Sequence, residues 1–183
     1  MRGATSPLLA FYSGRGMDHR DRSLSAILGA SDEWLEREHD YIQWLFPIGE
    51  RSPYNPEAPI VDSEAIDAFA RQSDLRSNQQ LAFQRMMQFY GFGAECDIDD
   101  DGAITVYVDR SKNFERQAQR WLRPTNHNYK RITRILKSTS LLSSPHLARG
   151  LGEALVLLGR DSGGRIGSQT LAIWKSASFG HAR

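Results

Sequence analysis

His39-Asp40-Tyr41-Ile42-Gln43-Trp44-Leu45-Phe46-Pro47 is the stretch on which the reading of the fold turns. Counted from Trp34, the apolar positions are Trp34, Leu35, Tyr41, Ile42 and Leu45, a stripe at helical spacing. Pro47 ends it, because proline has no N–H to donate and its ring clashes with the preceding turn. The spacing predicts one helix over 34–45. Further along, His127-Asn128-Tyr129-Lys130-Arg131-Ile132-Thr133-Arg134-Ile135-Leu136-Lys137-Ser138 repeats the recipe of aromatic, aliphatic and hydrogen-bonding side chains at helical spacing. Neither segment fits a common catalytic motif. Trp44, Leu45 and Tyr129 are expected in the core, with the two segments in contact, since long-range packing is the simplest reason for such a mix in both.

Working outward, residues 1–22 carry few periodic signals and read as an extended arm that tucks Leu8, Leu9, Phe11 and Tyr12 onto a domain spanning 23–183. Ser23 and Ser31 suit helix N-caps. Pro47, Pro53, Pro56 and Pro59 make 47–61 a loop. Asp62 precedes a helix start at Ser63. Phe83, Met86, Met87 and Tyr90 fall at i, i+3, i+4 and i+7, and Gly91 suits the position just past that helix. Ile104-Thr105-Val106-Tyr107-Val108 is β-rich and predicts a short strand or hairpin. Ser111 opens a helix with Phe114, Ala118, Trp121 and Leu122 on one face. Pro124-Thr125-Asn126 breaks it and caps the next. Ser144-Pro145 is a cap followed by a first-turn proline, before a helix burying Leu147, Leu151, Ala154, Leu155 and Leu158. A last helix holds Ile173 and Trp174. The fold class is all-α: about seven helices in one domain, with a β excursion near 104–108.

HDYIQWLFP, the stretch Phe83 to Phe92 with its aromatic helix ending in Gly91, and the basic NYKRITRILKS helix together resemble the conserved domain of the opioid growth factor receptor family. The resemblance begins near Phe11-Tyr12 and runs through most of the chain. It implies an all-helical domain that in vertebrates receives a small endogenous opioid peptide at or near the nucleus, with no catalytic residues assigned. The ending Gly-Arg-Ile-Gly then Leu-Ala-Ile-Trp is similar to stand-alone members of bacterial type, without the long repeat-rich tail.

Composition bounds the rest. The 183 residues suit one domain, and 40% hydrophobic with 25% charged residues is ordinary for a soluble globular protein. A net charge of +1 gives no global pull toward nucleic acid or membrane. The single cysteine, Cys96, rules out an internal disulfide and suits a reducing compartment. The apolar run near the N-terminus is too short for a signal peptide and the longest run, Leu155 to Leu158, too short for a transmembrane segment. A cytoplasmic location is expected.

Several constellations carry chemistry on paper. Asp97-Ile98-Asp99-Asp100-Asp101-Gly102 opens like a calcium-binding EF-hand loop, but position twelve is Val108 instead of a bidentate Glu, so an acidic hairpin tip is the favoured reading. Arg110, Lys112, Arg116, Arg120, Arg123, Lys130, Arg131, Arg134 and Lys137 face only Glu115, and suit phosphate, nucleic acid or an acidic peptide unless they form a solvated face. His39 and His127 lack metal-ligand companions at fitting spacing, so no metal and no cofactor is expected. In a continuous 34–45 helix Glu38 falls in the apolar stripe and needs Arg131 or Arg134 as partner.

The expected function is non-enzymatic binding of a peptide, a protein or an anionic small molecule. The candidate ligand-binding residues are His39, Asp40, Tyr41, Gln43, Trp44, His127, Asn128, Tyr129, Arg131 and Arg134. Nucleic acid or a phosphate ligand on the basic helices of 110–137 is the alternative, and an enzyme using His39, Asp40 and Glu38 the second alternative.

Overall fold

Capping chemistry places four of the helices. A computed structural model describes residues 6–179 and, among them, ten α-helices and one two-stranded antiparallel sheet. Residues 1–5 of the expected arm and His181 lie outside the described residues. The Ser23 hydroxyl accepts from the Ala26 N–H at 3.1 Å and opens α2 (Leu24–Leu28). Ser31 does the same for Trp34 at 3.2 Å and opens α3 (Asp32–Arg37). Asp62 accepts from Ala65 at 2.8 Å and opens α5 (Ser63–Arg71). Ser144 accepts from Leu147 at 3.2 Å and, with Pro145 in the first turn, opens α9 (Pro145–Asp161). Each bond satisfies one of the free N–H groups of a first turn.

The chain divides into two compact units, Met1–Ala82 and Phe83–Arg183, with the division falling inside the long helix α6 (Ser73–Tyr90). In the first unit, residues 7–12 form a helix, α1 (Pro7–Tyr12), where the sequence reading expected an extended arm. Pro7 pre-sets the first turn, and Leu8, Phe11 and Tyr12, spaced i, i+3 and i+4, are all fully buried. Tyr12 meets Phe69 edge-on at 5.1 Å and Phe11 meets Trp44 at 5.3 Å. The Tyr12 hydroxyl donates to the Leu45 carbonyl, and Asn78 donates to the Tyr12 carbonyl at 2.6 Å.

The single helix expected over 34–45 is not formed. Helix α3 ends at Arg37, Glu38 turns the backbone extended (ψ 141°), and a short helix α4 (Ile42–Leu45) resumes. The intervening turn is held by tertiary bonds: Tyr41 donates to the Leu35 carbonyl at 3.1 Å, and Asn55 donates to the Asp40 carbonyl at 2.8 Å. These outweigh the modest intrinsic helix preference of residues 38–41. Glu38 therefore leaves the apolar stripe. Its side chain is 26% exposed and pairs with Arg37 at 3.2 Å.

The second unit begins with the end of α6, where Phe83, Met86, Met87, Phe89 and Tyr90 are buried. Gly91, at φ +87°, turns the chain, and an added Cβ there would sit 2.7 Å from the Phe114 Cα, so glycine is required. Strands β1 (Phe92–Ile98) and β2 (Ile104–Arg110) then pair antiparallel, Cys96 opposite Val106. The acidic run is the hairpin tip, where the Asp99 carboxylate accepts from the backbone of Asp101 (3.1 Å) and Ala103 (2.8 Å). Helix α7 (Phe114–Trp121) starts later than Ser111, whose hydroxyl instead accepts from Asn113 at 3.3 Å. Helices α8 (Asn128–Leu142), α9 and α10 (Ser168–Phe179) pack on one another. Trp174 of α10 is fully buried while Ile173 is 45% exposed.

Candidate functional site

The two motif segments lie in different units and are described one at a time. In the first unit, the loop Asp18-His19-Arg20-Asp21-Arg22 wraps its own carboxylate. The fully buried Asp18 side chain accepts from the N–H groups of Arg20 (2.9 Å) and Arg22 (3.0 Å) and from the Arg22 guanidinium at 2.6 Å. Arg22 then reaches Asp40 at 2.9 Å, where Arg20 Nε (2.5 Å) and His19 Nε2 (3.4 Å) also converge. Burial alone would raise the Asp40 carboxyl. The hydrogen bond from Arg22, then the charges of Arg22, Arg20 and His19, outweigh it and hold the group below its ordinary value. Trp44 donates its indole N–H to His19 Nδ1 at 3.1 Å, and Arg22 lies 5.5 Å over the Trp34 ring.

This geometry limits the chemistry. Nδ1 of His19 is taken up by the Trp44 indole N–H and Nε2 faces Asp40, so both ring nitrogens are engaged within the protein. Asp40, held ionised by cations, is a weak proton acceptor at neutral pH. Of the sequence candidates here, His39 is exposed, Asp40 is 15% exposed in its side chain, and Tyr41, Gln43 and Trp44 are buried. Gln43 turns its amide nitrogen to the carbonyl oxygens of His39 (3.2 Å) and Asp40 (3.1 Å), an orientation assigned from the hydrogen-bond network. Sequence reading passed over Asp18, Arg20 and Arg22. Their only signal was an Asp followed by backbone donors two and four residues on, an Asx-type turn.

In the second unit, Asn128 is fully buried, its amide oxygen accepting from Tyr90 (3.2 Å) and from Arg131 (3.3 Å). Arg131 is 5% exposed. Tyr129 donates to the Arg165 carbonyl at 3.1 Å and receives the Trp174 indole N–H on its own carbonyl at 3.2 Å. Burial raises the Tyr129 hydroxyl, the nearby Arg165 charge offsets part of that, and the group stays a donor. His127 is exposed at the opening of α8 without capping it, and Arg134 is half-buried. On the outer side, Arg116, Arg123, Lys130, Lys137 and Arg165 are exposed. A groove of about 450 Å³ is lined by Ala118, Gln119, Leu122, Pro124, Arg123, Arg165 and Glu115. Among the described residues, no group of three or more His, Cys, Asp or Glu side chains is placed to hold a metal ion, and no helix is long and apolar enough to cross a membrane.

Comparison with known proteins adds one family. The model of the opioid growth factor receptor conserved region matches residues 23–157. The chain is similar to the opioid growth factor receptor of Rattus norvegicus, 38% identical over 112 residues, which cover 61% of this chain and 18% of that protein. It is similar to the opioid growth factor receptor-like protein 1 of Rattus norvegicus, 36% identical over 129 residues, covering 68% of this chain and 26% of that protein. The Homo sapiens opioid growth factor receptor is 36% identical over 112 residues, 61% of this chain and 15% of that protein. The chain thus spans about a quarter or less of these relatives' length. No solved structure matches it.

Proposed function

The chain belongs to the opioid growth factor receptor conserved-region family, and from that premise we propose that it is a non-enzymatic binding domain whose ligand is an acidic peptide segment. The groove beside α7 carries this reading. Ala118, Leu122 and Pro124 supply apolar lining, and two arginines line it against one carboxylate. Charge supports it too. The second unit holds fifteen Lys and Arg against nine Asp and Glu, while the first holds eight against thirteen. His127, exposed, and Arg134, half-buried, were read from the sequence as ligand residues, and the groove is lined by other side chains. Asn128, Tyr129 and Arg131 are buried in α8. The lone Cys96, which is exposed, suits a reducing, cytoplasmic setting.

A labelled peptide alternating Glu and Leu, titrated by fluorescence anisotropy, tests the proposal. Saturable binding is expected, with Arg123→Glu plus Arg165→Glu weakening it at least tenfold, about 1.4 kcal/mol. Charge-assisted contacts are worth about 1.5–3 kcal/mol each, so two lost contacts suffice. Unchanged affinity in the double variant would sink the groove. Duplex DNA is the control: if it displaces the peptide with a steep salt slope, the ligand is phosphate. The relatives' name makes an opioid peptide the second ligand to titrate.

A further inference from the structure

The hairpin leaves one strand edge open, and its side chains specify what fits there. In an antiparallel pair, residues alternate between pairs that exchange hydrogen bonds and pairs whose N–H and C=O point away from each other. Ser111 donates to the Gly91 carbonyl at 2.8 Å, and Asp99 to the Ala103 carbonyl at 3.1 Å, on either side of the ladder. With Cys96 opposite Val106, the bonded positions of β1 are therefore Gly93, Glu95 and Asp97. Ala94, Cys96 and Ile98 turn their backbone groups outward.

On β2 the corresponding outward edge is covered. An added Cβ at Gly150 would collide with the Val106 carbonyl oxygen, so α9 lies against that edge and needs glycine to do so. On β1 the edge is open among the described residues: every residue from Gly93 to Ile98 is exposed. Such an edge presents a row of unpaired N–H and C=O groups, a ready template for another strand.

We infer that the outer edge of β1 is a docking site for an extended peptide segment that alternates apolar and basic residues, added as a third strand. The alternation follows from the pleat. Ala94, Cys96 and Ile98 lie on the face of β2's Val106 and Val108, and with Ile104 (42% exposed) they offer an apolar strip. Glu95 and Asp97 lie on the opposite face. Six of the second unit's nine carboxylates, Glu95, Asp97, Asp99, Asp100, Asp101 and Asp109, sit on this hairpin. A second copy laid antiparallel along the edge would set the Glu95 and Asp97 row against itself, which like charges oppose. A basic partner strand meets complementary charge, its ladder bonds giving affinity and its alternate side chains specificity.

This site is separate from the proposed groove, and its ligand has the opposite charge. The test uses the whole chain and a short labelled peptide alternating Val and Lys, with a Val and Glu peptide as control. Saturable binding of the Val–Lys peptide is expected, with slowed hydrogen exchange at the Ala94, Cys96 and Ile98 amides. Cys96→Pro removes an outward N–H and blocks the incoming strand while sparing the β1–β2 ladder, and should weaken binding at least tenfold. Glu95→Lys with Asp97→Lys, both exposed positions, should do likewise and turn the preference toward the Val–Glu peptide. The groove variant Arg123→Glu plus Arg165→Glu should leave Val–Lys binding unchanged. Binding that survives the charge reversal, or that protects no β1 amide, overturns the inference. So does a homodimer in light scattering that Cys96→Pro dissolves, since the edge would then belong to a second copy.

Discussion

Asp40 shows how a single carboxylate can fix a chain turn. It receives Arg22, Arg20 and His19 from a loop that precedes it by about twenty residues, and Asn55 on its carbonyl. Its folded-state value lies below the ordinary 3.8. A depressed carboxyl stabilises the fold fully above its unfolded value, and that contribution fades as pH falls through the folded one. Asp40→Asn should thus cost about 1.5–3 kcal/mol near neutral pH, as for a lost charge-assisted bond in a partly buried site. The gap to the unsubstituted protein should close below pH 3.8. Urea denaturation across a pH series reads this, and a gap independent of pH would show that Asp40 acts through shape alone. Trp44, 4% exposed and bonded to His19, belongs to the same knot. Trp44→Ala should cost about 3–5 kcal/mol, and a loss under about 1 kcal/mol would show that the indole is not packed.

At the scale of elements, α8 separates structural from displayed charge. Arg131 is buried and bonded to Asn128, whereas Lys130 beside it is exposed. Arg131→Met should cost about 1.5–3 kcal/mol, since it strands buried hydrogen-bonding groups. Lys130→Met should stay within about 0.5 kcal/mol. Equal effects in thermal melts would mean that burial does not sort these cations. Such elements were legible wherever local chemistry decides. Ser31, Asp62 and Ser144 announced their caps, and the stripes of α6, α7 and α8 announced their buried faces. The β-branched run 104–108 announced its strand, although β1 (FGAECDI), rich in small and acidic residues, did not. The break between α3 and α4 was hidden, because the Trp34 to Leu45 stripe fits a helix and only distant partners undo it. Helix α1 was missed although Leu8, Phe11 and Tyr12 are correctly spaced, since so short a helix exists only through tertiary packing. The groove was hidden for a related reason: Arg165 is remote from Arg123 in sequence, and no local pattern joins them.

For the molecule as a whole, near-neutrality is a cancellation. A net charge of +1 combines a first unit with five more acidic than basic residues and a second with six more basic than acidic. Global charge governs solubility, but a charged ligand responds to the local field, screened over about 10 Å at 0.1 M salt. In the second unit Arg110, Lys112, Arg116, Arg123, Lys130, Lys137, Arg149, Arg160, Arg165 and Lys175 are all exposed. The chain should be retained on a sulfonate cation exchanger at low ionic strength near its isoelectric point of about 7.9, where an evenly mixed surface would pass through. Arg123→Glu with Arg165→Glu should elute at lower salt, and Glu95→Lys with Asp97→Lys at higher salt. If the unsubstituted chain runs through the column and neither variant shifts, the basic residues are not displayed as a surface, and the proposed acidic-peptide groove loses its electrostatic basis.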